Sequence, residues 1–119
     1  MRQRVSLART LIYGADTLLM DEPFAALDAQ LRLEMQSELL RVWEAERKTV
    51  VFVTHDLPEA ITLADRIVLF SARPGRVKAE YRIDLPRPRS AKTLRFDPTF
   101  VALEAELWRQ LDRTAEVTI

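Results

Sequence analysis

The sequence contains no cysteine, one histidine and two glycines among its 119 residues. Without cysteine it can form neither disulfides nor cysteine-ligated zinc or iron–sulfur sites, and a single histidine excludes multi-histidine metal sites. The two glycines, Gly14 and Gly75, lie far apart in the chain. A loop that cradles phosphate groups needs several neighbouring glycines, because its backbone N–H groups must approach the anion closely. These 119 residues therefore hold no glycine-rich loop of that kind.

Long apolar runs and an excess of charge of one sign are missing as well. The longest apolar runs, such as residues 49–53, are far shorter than the roughly 20 residues of a membrane-spanning helix. Arg9 interrupts the segment after the basic N-terminus, so we predict no secretory signal and a cytoplasmic location. Eighteen basic residues balance eighteen acidic ones, which argues against a nucleic-acid partner.

Hydrophobic periodicity and capping residues predict alternating helices and strands. Helices are predicted over residues 2–13, 29–46 and 57–64 and from Asp97 onward, and strands over residues 17–20, 49–54, 66–71 and 77–83. This alternation predicts an α/β fold with a mostly parallel sheet. The second strand is continuously apolar and β-branched, which is typical of a strand buried on both faces. We expect two units, residues 1–85 and residues 86–119, the latter being a solvated linker (86–89) followed by a C-terminal helix.

Two helices are predicted in more detail, because their apolar residues recur at helical spacing. Asp28 is placed to cap the helix over residues 29–46. The inner stripe of that helix is predicted to be Leu31, Met35, Leu39 and Val42, and the water-facing residues are predicted to be Arg32, Glu34, Glu38, Arg41 and Glu44. The last helix is predicted to place Phe100, Leu103, Leu107 and Leu111 on one face.

The strongest motif is TLLMDEPFAALD, which runs from Thr17 to Asp28. Its apolar strand ends at the acidic pair Asp21 and Glu22, since Pro23 cannot continue a central strand. Ligands bind at the carboxyl ends of strands in open α/β sheets, and carboxylates are suitable ligands for Mg²⁺. An acidic pair alone is more often a turn or a helix cap. The whole string, however, resembles the Walker B strand and D-loop of ABC-type ATPases.

This resemblance implies roles for four residues. Asp21 would hold the Mg²⁺–ATP complex, and Glu22 would polarise the water that attacks the γ-phosphate. His55, in VFVTHD, resembles the switch histidine of the family, which hydrogen-bonds the γ-phosphate and links to Glu22. Asp28 matches the D-loop aspartate at the dimer interface, although it can also simply cap the next helix, and both readings can be true. Ala26 stands where the family usually has serine or glycine.

The resemblance extends along most of the chain. Residues 2–9, RQRVSLAR, resemble the helix that follows the family's LSGGM signature, with Met1 as the last signature residue. LFSARPGR (69–76) and IDLPRPR (83–89) resemble the tail of the subgroup that energises import of nitrate, sulfonates and taurine. The implied fold is the C-terminal portion of a three-layer P-loop NTPase (ABC ATPase), with an edge strand and a C-terminal helix.

The resemblance implies an ATP-binding and ATP-hydrolysing importer subunit that uses ATP and Mg²⁺ at the inner face of the cell membrane. Its implied partners are transmembrane permease subunits, a second ATPase subunit and, indirectly, a solute-binding protein. The family's phosphate-binding loop, Q-loop and helical subdomain would precede Met1, so we expect this chain to be truncated and inactive alone. A non-catalytic fragment that docks on an intact ATPase or permease is one alternative. An ABC-type ATPase of DNA repair is another, disfavoured because neither a coiled-coil insertion nor a basic surface is evident.

Overall fold

The structure, a computed structural model, describes residues 17–70 and 75–112. The predicted helix over residues 2–13 lies outside these ranges. The described elements, in chain order, are β1 (Thr17–Asp21), α1 (Ala29–Glu46), β2 (Thr49–Val53), α2 (Leu57–Leu63), β3 (Arg66–Phe70), β4 (Val77–Arg82), a 3₁₀ helix (Leu94–Phe96) and α3 (Pro98–Asp112). Every helix and strand predicted within the described ranges is therefore present, with ends that differ from the predicted ones by at most one residue where the prediction gave both ends. The 3₁₀ helix is an addition.

The described strands form two pairs of opposite kind. β1 and β2 are parallel, in a register that runs from Thr17 opposite Thr49 to Asp21 opposite Val53. β3 and β4 are antiparallel. The α/β class is confirmed, whereas a mostly parallel sheet and a three-layer arrangement stay predictions, because only one of the two described pairs is parallel.

Helix α1 covers one face of the β1–β2 pair. Leu18 and Met20 of β1 pack with Met35 and Leu39 of α1 in one buried cluster. The opposite face carries Leu19, Val51 and Val53, which are 74%, 49% and 47% exposed. The prediction that β2 is buried on both faces is therefore wrong for the structure described, because α1 shields only the face to which Leu18 and Met20 point.

A second buried cluster joins α2, β3 and α3. Phe100, Leu107 and Leu111 of α3 are buried against Ile61 of α2 and Ile67 of β3. The predicted inner face of the C-terminal helix is confirmed, with Leu103 partly buried beside it. Segments on both sides of residue 85 share this core, and the division of the chain at that point stays a prediction.

The Pro-Arg segment after β4 is docked against the protein, so the prediction of a solvated linker is wrong. Arg89 is only 9% exposed. It donates to the carbonyls of Ala64 (2.6 Å), Leu85 (3.0 Å) and Thr62 (3.2 Å). Burial, followed by repulsion from the neighbouring Arg87, lowers the pKa of Arg89 to about 10, so its guanidinium remains charged at neutral pH.

Arg87 anchors the same segment at a second point. Its guanidinium donates to the carbonyl of Leu63 at 2.7 Å and pairs with Asp65 at 3.1 Å. It also lies 4.3 Å from the centroid of the Trp43 ring, a cation–π distance. Together the two arginines fix the path of the chain between β4 and α3.

Candidate functional site

The acidic pair lies where β1 ends. Asp21 is the last residue of β1, is exposed, and forms no side-chain hydrogen bond with any described residue. Glu22 follows with its backbone N–H donating to the carbonyl of Val53 at 2.8 Å, which extends the parallel ladder by one bond. The φ angle of Glu22 is +47°, in the left-handed region that residues other than glycine seldom adopt. The backbone therefore turns at Glu22, directly after the last residue of β1.

His55 meets Glu22 at the carboxyl end of the neighbouring strand. The distance from His55 Nδ1 to Glu22 Oε1 is 2.7 Å, and the two side chains are 57% and 32% exposed. At this distance Nδ1 carries the shared proton and donates to the carboxylate, because an ionised carboxylate is an acceptor only. In the neutral ring Nε2 is then an acceptor, and in the protonated ring it is a second donor. The structure thus brings two of the four predicted site residues into contact.

Asp28 lies at the start of α1 and acts there as a helix cap. Its side chain accepts a hydrogen bond from the backbone N–H of Leu31 at 2.8 Å, and its φ and ψ are extended. The prediction that Asp28 caps α1 is therefore confirmed. Its predicted role across a dimer interface stays a prediction.

An open pocket of about 350 Å³ adjoins the contact between Glu22 and His55. Arg32 of α1 and Trp108 of α3 also line this pocket. Trp108 is 46% exposed, and the sequence analysis did not single it out. No described residues form a cluster of three or more histidine, cysteine, aspartate or glutamate side chains able to hold a metal ion. A metal at this edge would therefore need ligands in addition to those that the described side chains supply.

No family model matches the chain. Individual relatives do match it, over most of its length. It is 55% identical over 96 residues to an uncharacterized ABC transporter ATP-binding protein of Methanocaldococcus jannaschii, which covers 81% of the chain. It is 50% identical over 105 residues, 88% of the chain, to an aliphatic sulfonates import ATP-binding protein of Granulibacter bethesdensis. The chain belongs to the ABC transporter ATP-binding family. A third relative, the aliphatic sulfonates import ATP-binding protein of Bacillus cereus, is 42% identical over 113 residues, 95% of the chain.

This ABC ATP-binding chain spans less than half the length of the relatives that it matches. The matched regions are 36% of the M. jannaschii protein, 42% of the G. bethesdensis protein and 43% of the B. cereus protein. Among the helices described, none is long and apolar enough to cross a membrane.

Sequence reasoning missed two charged residues that support the site. Arg32 was predicted to face water, but it is only partly exposed and pairs with Asp56 at 3.0 Å, so that prediction is wrong. Asp56 caps α2 by accepting a 3.0 Å bond from the Glu59 N–H, and no sequence pattern marked it as the partner of Arg32. The position of Arg32 in the sequence could have indicated a role near the site, because Arg32 lies one helical turn after Asp28, at the end of α1 nearest the acidic loop.

Proposed function

We propose that this ABC ATP-binding chain carries the Mg²⁺-binding and water-activating part of an ATP site. The observation that supports this most directly is the 2.7 Å contact between Glu22 and His55 at the ends of two adjacent parallel strands. A carboxylate paired with an imidazole can orient a water molecule and accept its proton. In this proposal Glu22 orients the attacking water, and His55 holds Glu22 through Nδ1 while its Nε2 faces the phosphate side.

Asp21 is the residue proposed to hold Mg²⁺. The ion is a hard cation that usually keeps several waters and binds one or two carboxylates together with substrate phosphates. The Asp21 carboxylate is exposed and has no hydrogen-bond partner among the described residues, so it is free to be one such ligand. Because water and phosphate oxygens would supply the other ligands, the described residues need not contain a cluster of three protein ligands. When bound, the ion would neutralise part of the negative charge of the phosphate groups. Asp28 is proposed to act at the interface with a second ATPase subunit while it caps α1.

We further propose that the chain serves an importer of aliphatic sulfonates or a related small solute such as nitrate or taurine. Two of the relatives reported above are named as aliphatic sulfonates import ATP-binding proteins. The proposed partners are transmembrane permease subunits and, through them, a solute-binding protein, which would place the chain at the inner face of the membrane.

These 119 residues alone are proposed to bind Mg-ATP weakly and to hydrolyse it slowly or not at all. The glycine-rich loop that supplies most phosphate contacts in such sites is not among them. Calorimetry on the chain alone is expected to show no micromolar affinity for Mg-ATP. A micromolar dissociation constant would contradict this part of the proposal.

A chimera tests the catalytic assignment. It joins the chain to the part of the G. bethesdensis relative that the chain does not match, and ATP hydrolysis is measured as phosphate release. We expect Glu22→Gln to lower kcat by about 10²-fold or more, since a positioned general base contributes on that order. Glu80→Gln is the matched control, because Glu80 is a half-exposed glutamate of β4 that pairs with Arg66. Full activity of the Glu22→Gln chimera would refute the role of Glu22.

A further inference from the structure

The guanidinium of Arg32 links the two loops that carry Glu22 and His55. Its Nη1 donates to Asp56 Oδ2 at 3.0 Å, in the segment immediately after His55. Its Nη2 donates to the carbonyl of Leu27 at 3.0 Å, in the loop that leads from Glu22 to α1. One rigid fork therefore bonds to both sides of the contact between Glu22 and His55.

The segment around His55 is fixed by the atoms that Arg32 reaches. The backbone N–H of Asp56 donates to Thr54 Oγ1 at 3.0 Å, which closes a turn over His55. Asp56 Oδ1 accepts from the Glu59 N–H at 3.0 Å and so caps α2, while Oδ2 is bound by Arg32. Both carboxylate oxygens of Asp56 thus accept hydrogen bonds, and these bonds restrain the backbone next to His55.

The position of Arg32 carries an energetic cost, because one of its donors is left unpaired. Arg32 Nε is buried and has no hydrogen-bond partner among the described residues. A buried donor without a partner is unfavourable. The hydrogen bonds of Nη1 and Nη2 must offset this cost for the guanidinium to stay in place. A lysine has a single ammonium on a flexible stem and cannot reproduce the fixed separation of the two donors.

We propose that Arg32 is a positioning residue that sets the distance between Glu22 and His55. It does so without a hydrogen bond to either side chain, by holding Leu27 on one loop and Asp56 on the other. The proposal rests on the proposed function for its catalytic consequence, but the geometry that it predicts can be measured without catalysis.

The first test uses nitrogen NMR of the chain itself. His55 is the only histidine, so its two ring nitrogens are assigned without ambiguity in a long-range proton–nitrogen spectrum. In the unaltered chain Nδ1 and Nε2 are expected to give distinct signals, because the bond to Glu22 selects one tautomer. In Arg32→Gln the two signals are expected to converge toward the averaged position of a free imidazole.

Controls separate positioning from a general loss of structure. Arg41→Gln changes another arginine of α1, whose ion pair is with Glu38 on the same helix, and is expected to leave the His55 signals in place. Asp56→Asn keeps an oxygen to cap α2 but loses the ionic partner of Arg32, and is expected to act like Arg32→Gln. Arg32→Lys retains charge but not the fork, and is expected not to restore the signals. Unchanged His55 signals in both Arg32→Gln and Asp56→Asn would overturn the proposal.

The second test uses the chimera described above. Arg32→Gln is expected to lower kcat by about tenfold to 10²-fold, because a small misplacement of catalytic groups has effects of that size, while KM changes little. A normal kcat together with altered His55 signals would overturn the catalytic consequence. If the unaltered chimera hydrolyses no ATP, the proposed function fails, and the NMR result still decides whether Arg32 positions His55.

Discussion

Replacing Arg89 by methionine should destabilise the chain by about 3 kcal/mol. The side chain donates to the carbonyls of Ala64, Thr62 and Leu85 at 3.2 Å or less. Thr62 lies in the last turn of α2 and Ala64 directly follows the helix, where carbonyls lack helical partners. Removing the guanidinium leaves these carbonyls without their donor, and a hydrogen bond to a charged group contributes about 1.5–3 kcal/mol. We take about 3 kcal/mol for the whole set, because water can reach part of the site if the segment detaches.

Urea unfolding followed by circular dichroism measures this effect. With a slope of about 2 kcal/mol per molar urea, a loss of 3 kcal/mol lowers the midpoint by about 1.5 M. Arg89→Lys should recover part of the loss, since an ammonium can reach some of the carbonyls. Arg95→Met is the matched control, because Arg95 is exposed and its guanidinium lies over the exposed Phe96 ring, and it should change stability by less than about 0.5 kcal/mol. Equal midpoints for Arg89→Met and Arg95→Met would refute the docking of the Pro-Arg segment.

Three further changes have outcomes that the structure predicts. Asp28→Ala removes the cap of α1 and should cost about 1 kcal/mol in urea unfolding, whereas Asp28→Asn should be nearly neutral; equal losses would contradict capping. Gln36→Leu leaves the buried Glu59 carboxylate without its 2.9 Å donor and should cost about 1–3 kcal/mol by the same assay; an unchanged midpoint would contradict it. Leu19→Lys, on the exposed sheet face, should change the free energy of unfolding by less than about 0.5 kcal/mol in the same assay, because Leu19 is 74% exposed; a clearly larger loss would contradict the exposure of this face.

Local signals account for the parts of the fold that were predicted well. Both ends of α1 match the prediction, because Asp28 caps the first turn and the apolar stripe stops near Glu46. The strands β1 and β2 were predicted from short apolar runs that end at polar residues. The meeting of Glu22 and His55 follows from the same information, since parallel neighbours end at one edge of a sheet.

The wrong predictions all concern partners that are distant in sequence. Nothing near Arg89 in the sequence indicates carbonyl acceptors about 25 residues earlier, and proline-rich composition alone favours a solvated linker. Arg32 was placed in water because helical periodicity assigns faces but not ion pairs, and its partner Asp56 lies 24 residues away. Burial of β2 on its second face depends on what covers that face, which the composition of the strand cannot specify. The left-handed turn at Glu22 had no signal either, because no glycine marks it.

That turn has a consequence for a saturation library at position 22. A left-handed backbone favours glycine and tolerates asparagine, whereas β-branched side chains are strained there. Clones sorted for expression should therefore be enriched in glycine and asparagine, and poor in valine and isoleucine. Clones sorted for hydrolysis in the chimera should return glutamate. Stability-guided redesign would thus tend to remove the carboxylate, and an engineer who wants an active protein should keep position 22 fixed.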